Sequence, residues 1–340
     1  MVASRSALDR SEIVAAVTSL LGPDQVDTDA ERLAAGSVDR FRKYTAVHGI
    51  YDGPQPAAIV YPSSTGEVAA VLELAARERI AVVPRTGGTS TEGGLETVVE
   101  DALVVDGSRM DRILHVNAED MMVTAQCGVP LQVLEDTVRA QGLTTGHSPQ
   151  SKPIAQLGGL VATRSIGQFS TLYGGIEDLV TGLEAVFPGG RVTRIKSVPR
   201  RAAGPDIRHV VIGNEGALAY VTEVTLKLFR WQPDTMRYFG LQVADFGAAV
   251  GVLREVVTAG YRPSVARVYS PEDARQHFGD HPLDQNLVVL TAEGPAPLVE
   301  ATAAAIEAAA GGLPHTRVPE QRIRDWFEAL NWGPDKIEAE

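Results

Sequence analysis

Residues 82–94 read VVPRTGGTSTEGG: a short β-branched run, a proline, two pairs of glycines and a set of hydroxyls between them. Glycine permits positive φ and removes the Cβ that blocks close approach, so successive backbone N–H groups are free to meet an anion. The same residues also suit a flexible hairpin loop. What surrounds the stretch has to separate the two readings.

Upstream, AAIVYPSSTGEVAAVLELAARERIAVVP (57–84) supplies a strand, a helix and a second strand. Ser64 and Glu67 have capping-box spacing, and Val68, Val71, Leu72 and Ala75 fall on one face, which predicts a helix over 65–79. The glycine loop therefore starts where a buried strand ends, a common place for ligand contact in alternating α/β chains. Downstream, residues 102–130 hold three short strand-like runs, and LQVLEDTVRAQGL (131–143) returns to helical spacing through Leu131, Leu134 and Val138, closing at Gly142. This order predicts an α+β fold rather than a doubly wound sheet. Cys127 lies in an alternating strand without basic neighbours and reads as a buried structural thiol.

A second glycine cluster spans 146–190, with Gly158, Gly159, Thr163, Ser165 and Gly167 offering backbone donors and hydroxyls without bulk. A run of tight turns would use the same residues. The third element, GPDIRHVVIGNEGALAYVTEVTLKLF (204–229), reads as a strand VVIG, a turn at Asn214-Glu215-Gly216 and an alternating strand. Glu215 suits a turn cap as well as a ligand contact.

Composition limits the ligand. The chain has 31 Lys+Arg against 43 Asp+Glu, a net charge of −12, and such a field repels nucleic acid and anionic membranes. A compact nucleotide or acid fits better. The first residues lack the basic start and continuous apolar core of an export signal, no run is long enough to span a bilayer, and the single cysteine excludes an internal disulfide. A cytoplasmic setting is expected.

Taken in order, PSSTGEV (62–68), VVPRTGGTSTEGG, GHSPQS (146–151) with LGGLVATRSIG (157–167), YGGIEDLV (173–180) and GPDIRHVVIGNEGALAYVTE (204–223) resemble the FAD-binding domain of the vanillyl-alcohol oxidase and para-cresol methylhydroxylase superfamily. Within it they are most similar to alkyldihydroxyacetonephosphate synthases and D-2-hydroxy-acid dehydrogenases. The resemblance covers about residues 57–230 and implies two α+β subdomains holding an extended FAD. Matched to the pyrophosphate loop are Pro84, Arg85, Thr86, Gly87, Gly88, Thr89 and Ser90. Gln150, Ser151, Gln156, Gly158 and Gly159 match the segment passing the flavin, Thr163, Arg164 and Ser165 the next contact, and Glu215, Gly216 and Val221 the last. Ala219 departs from the family, which usually has glycine there. Members that tether their flavin through this loop use a histidine, and residues 82–94 contain none, so the resemblance implies a non-covalent FAD.

From Tyr238 the pattern becomes strand, helix, strand, helix, strand, helix, similar to the start of the family's substrate-covering cap and implying a partial ferredoxin-like α/β domain. The expected division is an N-terminal helical segment at 1–50, a para-cresol-methylhydroxylase-type FAD-binding domain at 51–235 and a cap at 236–340. Relatives have a longer cap, so a homodimer or partner chain completing it is expected, together with slow turnover by this chain alone. No catalytic residue is assigned. His147 and His209 flank the motifs but read as satisfied or surface histidines. Arg267, in PSVARVYS, is a candidate clamp for a substrate carboxylate or a solvent-facing strand position. The function implied is an FAD-dependent oxidoreductase acting on a small hydroxy acid or related alcohol. A synthase-like flavin-dependent transferase and a flavin-binding half of a split enzyme remain as alternatives.

Overall fold

The computed structural model describes residues 6–38, 40, 53–278 and 284–330, and these divide into two compact units. The first holds the described residues up to Thr137 with Ser151–Ser165 and Ile176–Lys227. The second holds Val138–Gln150, Ile166–Gly175 and the described residues from Leu228 onward. The chain thus enters the second unit twice before leaving the first, a discontinuity that a single boundary at 235/236 does not express. Of the N-terminal segment 1–50, residues 1–5, 39 and 41–50 lie outside the described residues.

In the first unit, β1 (Val26–Asp27), β2 (Ala58–Val60), β3 (Val82–Arg85) and β4 (Leu103–Asp106) form a sheet of order β1-β2-β4-β3. β2 and β3 both run parallel to β4, with Ile59 and Val83 flanking Val104. Parallel pairing demands a crossover, and the apolar stripe of 57–84 supplies it. The helices are α1 (Arg10–Leu21), α2 (Ala30–Gly36) and α3 (Thr65–Glu78). Ser64 accepts the Glu67 N–H at 3.3 Å, but the Glu67 carboxylate turns to the Ser63 N–H at 2.7 Å, so the capping box is displaced by one residue. Val68, Val71, Leu74 and Ala75 are buried with Ile13 and Val17 of α1 in one core. The N-terminal segment is therefore part of this unit, contributing both a strand and core side chains.

The second sheet of this unit is antiparallel, built from β5 (Ile113–Asn117), β6 (Met122–Gln126), β8 (Val180–Phe187), β9 (Arg191–Ile195) and β10 (Tyr220–Lys227) in the order β5-β6-β10-β8-β9. Val186, Cys127 and Tyr220 from this side join the core cluster that contains Val60, Leu103 and Val105 of the first sheet. Helix α4 (Leu131–Arg139) ends three residues before Gly142, which takes φ +70° in the turn that follows. Short helices α5 (Leu157–Ala162), α7 (Ile176–Leu179) and α8 (Arg208–Val211) complete the connections of this unit, while α6 (Ser170–Tyr173) belongs to the second. The segment VVIG, expected as a strand, is instead α8 and its exit. Asp206 accepts the Arg208 N–H and binds its guanidinium, which favours a helical turn at once, and Val210 is left exposed rather than alternating into a sheet.

The second unit carries a two-stranded ribbon, β7 (Leu143–Thr144) with β11 (Phe229–Arg230). Its main sheet is β12 (Arg237–Val243), β13 (Val265–Tyr269), β14 (Asn286–Ala292) and β15 (His315–Val318), all antiparallel, in the order β13-β14-β12-β15. Numbered within the unit this is 4-1-3-2, the ferredoxin-like order. Period-two alternation sends Phe239, Leu241, Val288 and Leu290 toward α9 (Phe246–Thr258) and α11 (Ala296–Ala310). Tyr238, Leu287 and Val289 point to the opposite face, packed with Phe278 of α10 (Pro271–Phe278) and with Ile323 and Trp326 of α12 (Glu320–Ala329). Among the described residues both faces of this sheet are covered.

Candidate functional site

β3 ends at Arg85 and the chain leaves the sheet as Thr86–Ser90. Among the described residues no acceptor meets the backbone N–H groups of Gly87, Gly88, Thr89 or Ser90, although all four residues are half-buried. Four consecutive donors without a protein acceptor make a stretch of backbone that an anion can take.

Three separate stretches close around this loop, and glycine is what lets them. A Cβ on Gly87 would lie 2.6 Å from the Ile154 carbonyl oxygen and 2.9 Å from the Gln156 nitrogen. One on Gly159 would lie 2.8 Å from Thr86 Oγ1, and one on Gly158 would meet Cys127 Cβ at 2.8 Å and Thr86 Cγ2 at 3.3 Å. Gly216 takes φ +78° with the Pro84 ring at 2.5 Å from its missing Cβ. Gly87 therefore admits neighbouring backbone rather than a ligand directly. Gly88, at φ +64°, is the position where the loop needs the left-handed region.

The same loops are tied to each other. Glu215, itself at φ +49°, donates its N–H to Ala162 O at 2.9 Å, and Gly213 donates to Val161 O at 3.0 Å, strapping the third element onto α5. Asn214 Oδ1 accepts the N–H groups of Leu218 and Ala219 at 3.1 and 3.2 Å, so the turn closes with alanine at position 219. Thr163 Oγ1 donates to Gly159 O at 2.9 Å, Ser165 N–H reaches Leu160 O at 3.0 Å, and Arg164 takes φ +52° between them. The Ser151 carbonyl accepts from Ile154 and Ala155 in a tight turn, and Val221 is buried in β10 opposite Ala185. Gln150 belongs to the second unit.

Arg85 is already engaged. Its Nη1 donates to Val38 O at 2.8 Å and Gly36 O at 3.1 Å, and its Nε lies 3.4 Å from Asp106 Oδ2. This guanidinium fastens α2 to the loop, with its Nη2 against Gly88, 2.6 Å from where a Cβ there would sit. Cys127 is fully buried, and burial pushes its thiol up to about 12, as befits a structural thiol.

FAD fits this donor set. Its pyrophosphate matches the four open N–H groups, while Gln156 Oε1 is a buried acceptor without a partner, suited to a ribityl hydroxyl or the flavin imide N–H. Sequence reasoning placed Asn214 in a turn without foreseeing that its side chain caps Leu218 and Ala219, and it missed Asp106, which meets Arg85 from the neighbouring strand. In the second unit, Arg267 on β13 donates to Tyr269 Oη at 2.9 Å and His147 is buried, while in the first unit His209 is half-exposed 3.9 Å from Asp206.

Loops of this kind at the end of a parallel strand, next to an antiparallel sheet, define an FAD-binding domain, and the family model described as "FAD binding domain" matches residues 56–196. This chain belongs to the FAD-linked oxidoreductases. It is 53% identical to the "Uncharacterized FAD-linked oxidoreductase YgcU" of Escherichia coli (strain K12) over 334 residues, 98% of this chain and 69% of that protein. A D-2-hydroxyglutarate dehydrogenase of Xanthomonas citri pv. viticola is 35% identical over 176 residues, covering 52% of this chain and 37% of that protein. Among solved structures, an alkyldihydroxyacetonephosphate synthase superimposes with a TM-score of 0.81 at 25% identity, over 95% of this chain and 64% of the synthase.

Proposed function

We propose that this chain binds FAD non-covalently in its first unit and oxidises the hydroxyl-bearing carbon of a small hydroxy acid or related alcohol. The observation that carries the reading is the run of four open N–H groups at Gly87–Ser90, enclosed by glycine-dependent contacts. When bound, FAD supplies hydride acceptance at flavin N5. The backbone of Pro84–Ser90 holds the pyrophosphate, and Gln156 accepts from a flavin or ribityl donor. Gly158 and Gly159 keep α5 low enough for close approach. Ser151, Thr163, Arg164 and Ser165 line the passage along the cofactor, with Glu215, Gly216 and Val221, also of the first unit, as further contacts. Arg267 uses one donor on Tyr269 and has others with which to grip a carboxylate. The absence of histidine from residues 82–94 and the sealed Cys127 support a non-covalent flavin.

Anaerobic addition of a panel of D-2-hydroxy acids to the FAD-loaded protein tests the reading. Bleaching of the flavin band by one member is expected, and a band unmoved by hydroxy acids and simple alcohols overturns it. A synthase-like transferase is the second reading, favoured by the 0.81 superposition across 95% of the chain, and exchange of a long-chain alcohol without net flavin reduction identifies it. Binding of FAD with neither activity assigns a flavin-carrying part of a larger assembly. Among the described residues no helix is long and apolar enough to cross a membrane. The net charge of −12 argues against a nucleic-acid partner, and a cytoplasmic setting is part of the same proposal.

A further inference from the structure

Tyr220 opens β10 and is 4% exposed, yet its phenol does not end in apolar core. The Oη donates to the Arg85 carbonyl at 3.3 Å, at the last residue of β3 before the glycine loop begins. Cys127 lies beside the same hydroxyl, and burial with the neighbouring Asp106 and Cys127 holds the phenol protonated, its pKa well above the usual tyrosine value. Gly107 makes the room: a Cβ there would collide with Tyr220 Oη and lie 2.9 Å from Cys127 Sγ. One side chain from the antiparallel sheet thus fixes the point where the loop departs from the parallel sheet, and it does so through backbone.

We propose that Tyr220 is a positioning residue for the pyrophosphate: its hydrogen bond to Arg85 O sets the height at which the N–H groups of Gly87–Ser90 are presented. This rests on the assignment of that loop to the phosphates of FAD. A phenylalanine keeps the ring in the core and removes only the donor. The Arg85 carbonyl then loses a buried partner, and the strand end is free to shift by a fraction of an ångström. Binding that depends on the phosphates suffers, and binding that depends on the ring does not.

The test is the affinity of the full-length apoprotein for FAD, ADP and riboflavin, in the parent, Tyr220→Phe and Gly88→Val. In Tyr220→Phe, FAD and ADP are expected to bind about tenfold more weakly, a change of about 1.4 kcal/mol, with riboflavin affinity unchanged. In Gly88→Val, FAD and ADP binding should fall further while riboflavin binding persists. Equal losses for all three ligands in Tyr220→Phe would show general loosening and overturn the positioning role. Parent-like FAD and ADP affinity in Tyr220→Phe, alongside a selective loss in Gly88→Val, overturns the role of Tyr220 and leaves the loop assignment standing. Parent-like affinities in Gly88→Val overturn the loop assignment itself.

Discussion

Replacing Gly87 by alanine tests the claim that the loops are held by backbone contact. The added methyl would sit 2.6 Å from Ile154 O, 2.9 Å from Gln156 N and 3.2 Å from Ala155 Cα. All three are main-chain atoms, so no rotamer change relieves the overlap. Either the loop or the 154–156 segment must move by several tenths of an ångström. Overpacking of this sort costs about 1–3 kcal/mol. Both escapes displace proposed FAD donors or the Gln156 acceptor, so the cost should appear in binding as a loss of about 5- to 150-fold. Quenching of FAD fluorescence on titration into apoprotein measures it. Gly251 serves as the control, because it lies within α9 of the second unit with nothing within 4 Å of its missing Cβ. Gly251→Ala should leave FAD affinity at the parent value and raise stability by about 0.5–1 kcal/mol through helix propensity. A Gly87→Ala protein that binds FAD within about twofold of the parent refutes the packing argument.

Cys127 should resist a thiol reagent in the native protein and react stoichiometrically once denatured, since it is fully buried with its pKa pushed up to about 12; rapid native labelling contradicts this. Asp206 is held down to about 2, first by its hydrogen bond to Arg208, against roughly 3.9 when unfolded. Its stabilisation is therefore complete above about pH 4 and disappears as the pH falls toward 2. Asp206→Asn should be less stable than the parent by about 1 kcal/mol at neutral pH, allowing for partial exposure, with the gap narrowing in denaturant titrations below pH 4. A gap independent of pH rules out the ion pair as its source. Acid precipitation of the FAD-loaded protein should release all colour to the supernatant, and a yellow washed pellet would reveal a covalent link.

Much of the architecture is written locally. The strand-helix-strand run of 57–85 and the alternation of strands and helices after Tyr238 are legible because each element carries its own period and its own breaker. What escaped reading depends on distant partners. VVIG has the composition of a strand, but the Asp206–Arg208 pair two residues earlier turns it into a helix, and Arg208 Nη1 is anchored on the Val180 carbonyl across the unit. Arg85 resembles a phosphate ligand in sequence, yet its partners are Gly36, Val38 and Asp106, which no spacing rule connects to it. The two glycines of the first pair are required for different reasons: Gly88 for its φ, Gly87 for the backbone packed against it. Tyr220 reads as an ordinary strand aromatic until its hydroxyl is found on the Arg85 carbonyl.

The central claim is that the N–H groups of Gly87, Gly88, Thr89 and Ser90 are held open for the phosphates of FAD. Residue-resolved amide hydrogen exchange on the apoprotein, repeated with saturating FAD and with ADP, tests it most directly, because groups without an acceptor exchange freely and become protected only when one arrives. The account predicts fast exchange at these four positions in the apoprotein and marked slowing with either ligand. Unchanged exchange across 87–90 under saturating FAD, with protection appearing elsewhere, would contradict it.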